Sequence, residues 1–238
     1  MLLAACLGPA QTSDPLLTIP GVKASINLDQ QTIEITVWGT VTSTPAGIFR
    51  LALTVDLGEF QEHLTPVLAA QLNRSDRCGE RLSVEKAALA PDAPSSVLTA
   101  NVNYERYACV KAFGKQIVKK LVGGHGVIEV KLTPAVADNN ISLDAEVRKN
   151  DADGSLGEVL RSGSLGDSIR EQISDSVESA IQKSADLKST LPAEIESALA
   201  IKAVQFAEGG AGRLWLTISG EVRLSAEQLR GVASRVGQ

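Results

Sequence analysis

The sequence predicts an α+β fold: a long, strongly twisted antiparallel sheet wrapped around a long amphipathic helix in one elongated domain. Three observations predict it. From residue 22 onward, apolar and polar residues alternate with period two through segment after segment, the pattern of strands with one wet face. Then the period changes: Leu165, Ile169, Ile173, Val177 and Ile181 recur every four residues. Two more alternating segments close the chain.

Taken in order, Val22, Ala24, Ile26 and Leu28 alternate with Lys23, Ser25 and Asn27, and Ile33, Ile35, Val37 and Val41 alternate with Thr32, Glu34, Thr36 and Thr40. Leu51, Leu53, Val55 and Leu57 continue the pattern after the turn residues "STPAG" at 43–47, so the first three strands form an antiparallel meander. A helix follows over 59–73. Asp56 and Glu59 have capping-box spacing, and Phe60, Leu64, Val67, Leu68 and Leu72 fall on one face. Pro66 either kinks this helix or restarts it with Thr65 as cap. Beyond Cys78 come a segment at 82–89 and a long strand carrying Leu98, Ala100, Val102, Tyr104, Ala108 and Val110. Ile128, Val130 and Leu132 then pair across "PAVADNN" with Ile141, Leu143, Ala145 and Val147 as a hairpin.

The long helix opens at Ser164, with Asp167 three residues later. Each four-residue step overshoots a full turn by about 40°, so over four steps the stripe rotates by roughly 160°. A coiling sheet can follow such a stripe and a flat partner cannot. The alternative is an ordinary amphipathic helix with loose spacing. Leu191, Ile195 and Leu199 resume the spacing around Pro192 as a second helix. Residues 201–206, the turn "AEGGAG" and residues 214–224 make the last two strands, and Ser225 with Gln228 caps a short final helix.

The N-terminus "MLLAAC" ends in Leu3-Ala4-Ala5-Cys6, which resembles a bacterial lipobox, with Cys6 as the lipidation site. Five residues before Cys6 are fewer than an export signal's apolar stretch of about 7 to 15, so further signal residues are expected upstream. The following "LGPAQTSDP" has a tether's composition. The organisation expected is therefore a signal remnant, lipidation site and tether over 1–20 and a single domain over 21–238. With Cys6 acylated, Cys78 and Cys109 remain as one possible disulfide in an oxidising compartment; three unrelated cytosolic thiols are the alternative.

Of 238 residues, 44% are apolar but only 3% aromatic, so the core is aliphatic. The net charge of −5 argues against nucleic acid as a partner. No apolar run approaches the roughly 20 residues that span a bilayer. His63 lies among helix residues and His125 in the glycine turn "GGHG", each without a second ligand nearby. The acidic "NDADGSLGE" fails the calcium-loop register, since a glycine at its sixth position, Gly154, places Lys149 first and Leu160 twelfth. It reads as a solvated turn. Neither glycine cluster completes a dinucleotide fingerprint, and both read as turns. No catalytic residue, metal site or cofactor is expected, and the protein is expected not to be an enzyme.

Residues 164–200, "SLGDSIREQISDSVESAIQKSADLKSTLPAEIESALA", set between long hairpins and two final strands, resemble the layout of TULIP domains. That superfamily includes the bactericidal permeability-increasing protein and the SMP lipid-transfer modules. The resemblance implies a twisted sheet wrapped around a long helix, with acyl chains held in the groove between them. The ligand-groove candidates are Ile169, Ile173, Val177 and Ile181 on the helix, facing Ile128, Val130, Leu132, Leu143 and Val147 on the sheet. The functional expectation is a periplasm-facing, outer-membrane lipoprotein of the bacterial envelope, anchored at Cys6, that binds or transports a lipid or other apolar ligand. The competing expectation is a structural or interaction lipoprotein that scaffolds an envelope complex around a filled core.

Overall fold

A computed structural model describes residues 15–28, 31–44, 48–73, 78–112, 115–152, 198–223, 225 and 227. These residues form nine strands and one helix: β1 (Leu17–Leu28), β2 (Gln31–Ser43), β3 (Phe49–Asp56), α1 (Gly58–Leu72), β4 (Gly79–Asp92), β5 (Ser95–Ala112), β6 (Lys115–Ala137), β7 (Asn140–Ala152), β8 (Leu199–Glu208) and β9 (Leu214–Val222). All pairings between these strands are antiparallel, in a five-stranded sheet of order β1-β2-β3-β9-β8 and a four-stranded sheet of order β4-β5-β6-β7.

The expected α+β architecture, one long sheet around one long helix, is thereby corrected. The described fold is mostly β, with two separate antiparallel sheets and a single helix of 15 residues. The division arises after β3. There α1 carries the chain off the first sheet, and β9 takes the free edge of β3 from Phe49↔Val222 to Asp56↔Trp215. The stripe residues Ile169, Ile173, Val177 and Ile181 lie outside the described residues, as do Cys6 and the short C-terminal helix expected after residue 225.

Period two decides which side of each strand faces inward. Along β2, Ile33, Ile35, Val37 and Val41 are buried while Thr32 and Glu34 face water, and along β9 Leu214, Leu216, Ile218 and Val222 are buried. These side chains join Val84, Leu89, Leu98, Val102, Ile128 and Leu132 of the second sheet in one apolar cluster. Burial of a leucine or isoleucine of this kind contributes about 1.5–3 kcal/mol.

The helix α1 closes one end of this core, burying Phe60, Leu64, Val67 and Leu68 at spacings of four, three and one. Its start differs from the expected capping box. Asp56 Oδ1 accepts the Gly58 N–H at 2.8 Å, but Glu59 reaches away from the cap and accepts the Glu34 N–H at 2.9 Å. Nor does the helix restart at Pro66, which sits inside it. Thr65 instead fastens the helix to β4: its hydroxyl donates to Ala87 O at 3.1 Å and accepts from Ala87 N at 2.9 Å.

Three turn and helix assignments also change. "GGHG" lies inside β6, with His125 paired to Asn103 and Gly126 to Val102, because a regular ladder to β5 satisfies that backbone better than a turn would. Asp151 belongs to β7, paired with Val127. Leu199 begins β8 opposite Val222 and is not part of a helix. Of "AEGGAG", only the last four residues make the expected turn, with Gly210, Ala211 and Gly212 at φ of 86°, 52° and 77°, while Ala207 and Glu208 pair with β9 as the end of β8.

Candidate functional site

The sheet half of the expected ligand groove is built by β6 and β7. Their two-residue turn, Asp138-Asn139 at φ of 50° and 62°, suits the right-handed twist of the hairpin. It fixes the register Val136↔Ile141, Pro134↔Leu143, Leu132↔Ala145 and Val130↔Val147, and a bulge follows before Glu129↔Lys149. Ile128, Val130, Leu132 and Leu143 therefore face inward together, and Val147 packs beside them half-buried.

These residues line the core. Ile128, Val130 and Leu132 expose 1%, 1% and 0% of their surface, and Leu143 exposes 6%. Leu98 of β5 lies opposite Val130, and Ala100 opposite Ile128. The strand β8 is clamped across the turn end of the second sheet. Asn139 Oδ1 accepts the Ile201 N–H at 2.7 Å, Asn139 Nδ2 donates to Leu199 O at 2.9 Å, and the Phe206 N–H donates to Pro94 O at 2.9 Å. Phe206, 1% exposed, enters the same cluster from that strand. Two serines accompany it: Ser95 shares a 3.0 Å hydrogen bond with Thr133, while the Ser96 hydroxyl is buried without a partner.

A cleft of about 320 Å³ lies between α1, β4 and the β8–β9 turn, lined by residues that include Gly58, Gln61, Glu62, Leu89, Gly212 and Arg213. Its central side chain is occupied structurally. Gln61 Nε2 donates to Leu89 O at 2.7 Å and to Gly212 O at 3.0 Å, and its Oε1 accepts the Leu214 N–H at 2.8 Å. Arg213 sits 3.4 Å from Asp56. The described lining holds no Ser, Thr, Cys or His, so it offers no paired nucleophile and base. Among the described residues no three His, Cys, Asp or Glu side chains gather as a metal site. His63 is half-buried on α1, and His125 is exposed with Nδ1 3.4 Å from Glu85.

Cys78 and Cys109 form a disulfide with Cα atoms 5.7 Å apart, tying the chain just before β4 to β5. Gln116 Nε2 donates to Cys78 Sγ at 2.9 Å from the next strand. Here β5 and β6 run past the start of β4 at Gly79↔Tyr107, continuing as a ribbon from Ala108↔Lys119 to Ala112↔Lys115. At its base Lys120 donates to Glu105 at 2.6 Å, the Tyr107 hydroxyl donates to Glu105 at 3.0 Å, and the Arg81 guanidinium lies 4.5 Å above the Tyr107 ring. The hydrogen bond from Lys120, followed by that from Tyr107, holds the Glu105 carboxyl below its ordinary range, and Glu105 raises the Lys120 ammonium in turn.

The alternation reaches the β5 half of this ribbon through Ala108 and Val110 but starts the β6 segment only at Ile128, so the β6 half is missed. Residues 115–121 are exposed on both faces, so they carry no period-two signal. Their available signal was compositional: "KQIVKKLV" mixes lysine with β-branched residues. Comparison of the chain with protein-family models, curated proteins and solved structures finds no match.

Proposed function

We propose that the protein is a non-enzymatic lipoprotein of the bacterial envelope, held at a membrane through acylated Cys6, that works as an interaction module with a filled core. The observation that carries this reading is the burial of the expected groove wall. A groove that admits an acyl chain leaves accessible surface on its lining, yet Ile128, Val130 and Leu132 expose at most 1%. Their contacts are made by the protein's own side chains, as in a close-packed interior. The Cys78–Cys109 bridge suits an oxidising compartment such as the periplasm.

Native mass spectrometry of the full chain purified from membranes tests the reading. The expected species is the acylated polypeptide, alone or with a stoichiometric protein partner. A stoichiometric, non-covalently held lipid on each chain would overturn it in favour of lipid carriage. Metabolic labelling with a radioactive fatty acid tests the anchor separately: Cys6→Ala is expected to abolish incorporation and release the protein from the membrane fraction.

A further inference from the structure

The β5–β6 ribbon has the composition of a surface that meets something. At about 3.4 Å per residue, its five cross-strand pairs beyond Tyr107 extend roughly 17 Å past the start of β4. Val110 and Ile117, directly opposite each other, expose 60% and 55% of their surface, and Leu121 exposes 53%. Val118, on the opposite face beside Cys109, is exposed as well. Lysines surround this apolar set: the exposed Lys119 and Lys115 belong to the pairs on either side of Val110–Ile117, and Lys111 is exposed on the other face. Among the described residues none of these three lysines makes an ion pair, in contrast to Lys120.

The charge is local. Residues 105–122 hold five basic side chains against the single acidic Glu105, in a chain whose net charge is −5. We propose that this ribbon docks on an anionic lipid bilayer, the lysines meeting headgroup phosphates and Val110, Ile117, Val118 and Leu121 entering the interfacial zone. Two features favour a bilayer over a protein partner. The exposed apolar groups lie on both faces of the ribbon, where one protein surface covers one face but an interface surrounds the whole tip. Among the described residues they are also aliphatic, whereas protein-binding hot spots are enriched in Trp, Tyr and Arg. Exposed lysines beside aliphatic groups are the pattern of a surface-seated membrane element. The ribbon is held in place for this contact by the Cys78–Cys109 bridge and the Lys120–Glu105–Tyr107 hydrogen bonds.

The test is co-sedimentation of the full chain carrying Cys6→Ser, so that no acyl group contributes, with vesicles of phosphatidylcholine alone or mixed with phosphatidylglycerol. The chain is expected to bind the mixed vesicles and not the neutral ones, and to be released as salt approaches about 1 M, where the screening length falls to about 3 Å. K115Q/K119Q is expected to weaken binding about thirtyfold, and Val110→Ser with Ile117→Ser about tenfold or more. Both variants are expected to keep the parent's circular dichroism and unfolding midpoint, because the replaced side chains are exposed. Equal binding to the two vesicle types, or no vesicle binding at low salt, would overturn the proposal, whether or not the ribbon engages an acidic protein. So would unchanged vesicle binding by a K115Q/K119Q variant that now aggregates, which would assign the lysines to guarding a free strand edge.

Discussion

Gln61 shows how one side chain can hold three elements together. From the first turns of α1 it donates to the backbone of β4 at Leu89 and to the β8–β9 turn at Gly212, and it accepts from Leu214 at the start of β9. An amide has both donors and an acceptor on one planar group, and no hydroxyl or carboxylate supplies that set. Replacing it leaves three backbone groups to find water or go unpaired. Gln61→Ala is therefore expected to destabilise the fold by about 1–3 kcal/mol, read as a lower urea midpoint with an unchanged slope. Nothing in the sequence around Gln61 distinguishes it from a solvent-facing helix residue, because its partners lie up to 153 positions away. Asn139 is the opposite case. "ADNN" marks a tight turn by composition alone, and the structure adds only that this side chain clamps β8.

At the scale of elements, the ribbon and its staple behave as a unit. The disulfide joins residues 31 apart, and closing a loop of that length stabilises by about 3–4 kcal/mol on chain-entropy grounds. Cys78→Ala with Cys109→Ala is expected to lower stability by that amount and to speed hydrogen exchange at residues 107–120 before any other strand, measurable by mass spectrometry. The Glu105 carboxyl adds a pH dependence whose sign follows from its lowered value. A depressed folded-state value means that the contribution is fully present above the ordinary glutamate range and is lost as pH falls through the lowered one. Lys120 mirrors this: its raised value keeps the pair charged through neutral pH, with the contribution lost only as pH rises through that raised value. The unfolding midpoints of the parent and Glu105→Gln are thus expected to differ at neutral pH and to converge in acid. Convergence at neutral pH instead would show that the pair contributes nothing, a common outcome for exposed ions.

Among the described residues, one core is shared between the two sheets. Buried residues of β2, β3, β8 and β9 belong to the same cluster as those of β4, β5, β6 and β7, with α1 packed against β2 and β4. Such continuity predicts one cooperative transition. Both tryptophans, Trp38 and Trp215, meet edge to face at 5.2 Å in the first sheet, where their fluorescence reports on that sheet. Leu132→Ala, at a fully buried site of the second sheet, is expected to cost about 2–5 kcal/mol. It should shift the tryptophan transition and the far-ultraviolet dichroism together. A tryptophan transition that stayed at the parent midpoint would mean that the sheets unfold separately.

The sequence by itself determined most of the strands and the inward faces of their central stretches, although Val22 and Val110, on apolar faces by their alternation, are exposed. Ile33, Ile35 and Val37, Leu51, Leu53 and Val55, and Ile128, Val130 and Leu132 are all buried where their alternation placed them. It also determined the β6–β7 hairpin and left Cys78 and Cys109 as an available pair. Those features are local, or follow from a period that only one face can satisfy. Only the tertiary structure decided which strands share a sheet. Alternation states that a strand has a wet side and a dry side but not which edge it pairs with, so the place of β9 beside β3 was not legible in it. The same limit applied to the groove residues. An apolar row lining a ligand and an apolar row lining a core have one sequence pattern, and what separates them is the packing against residues distant in the chain, such as Phe206.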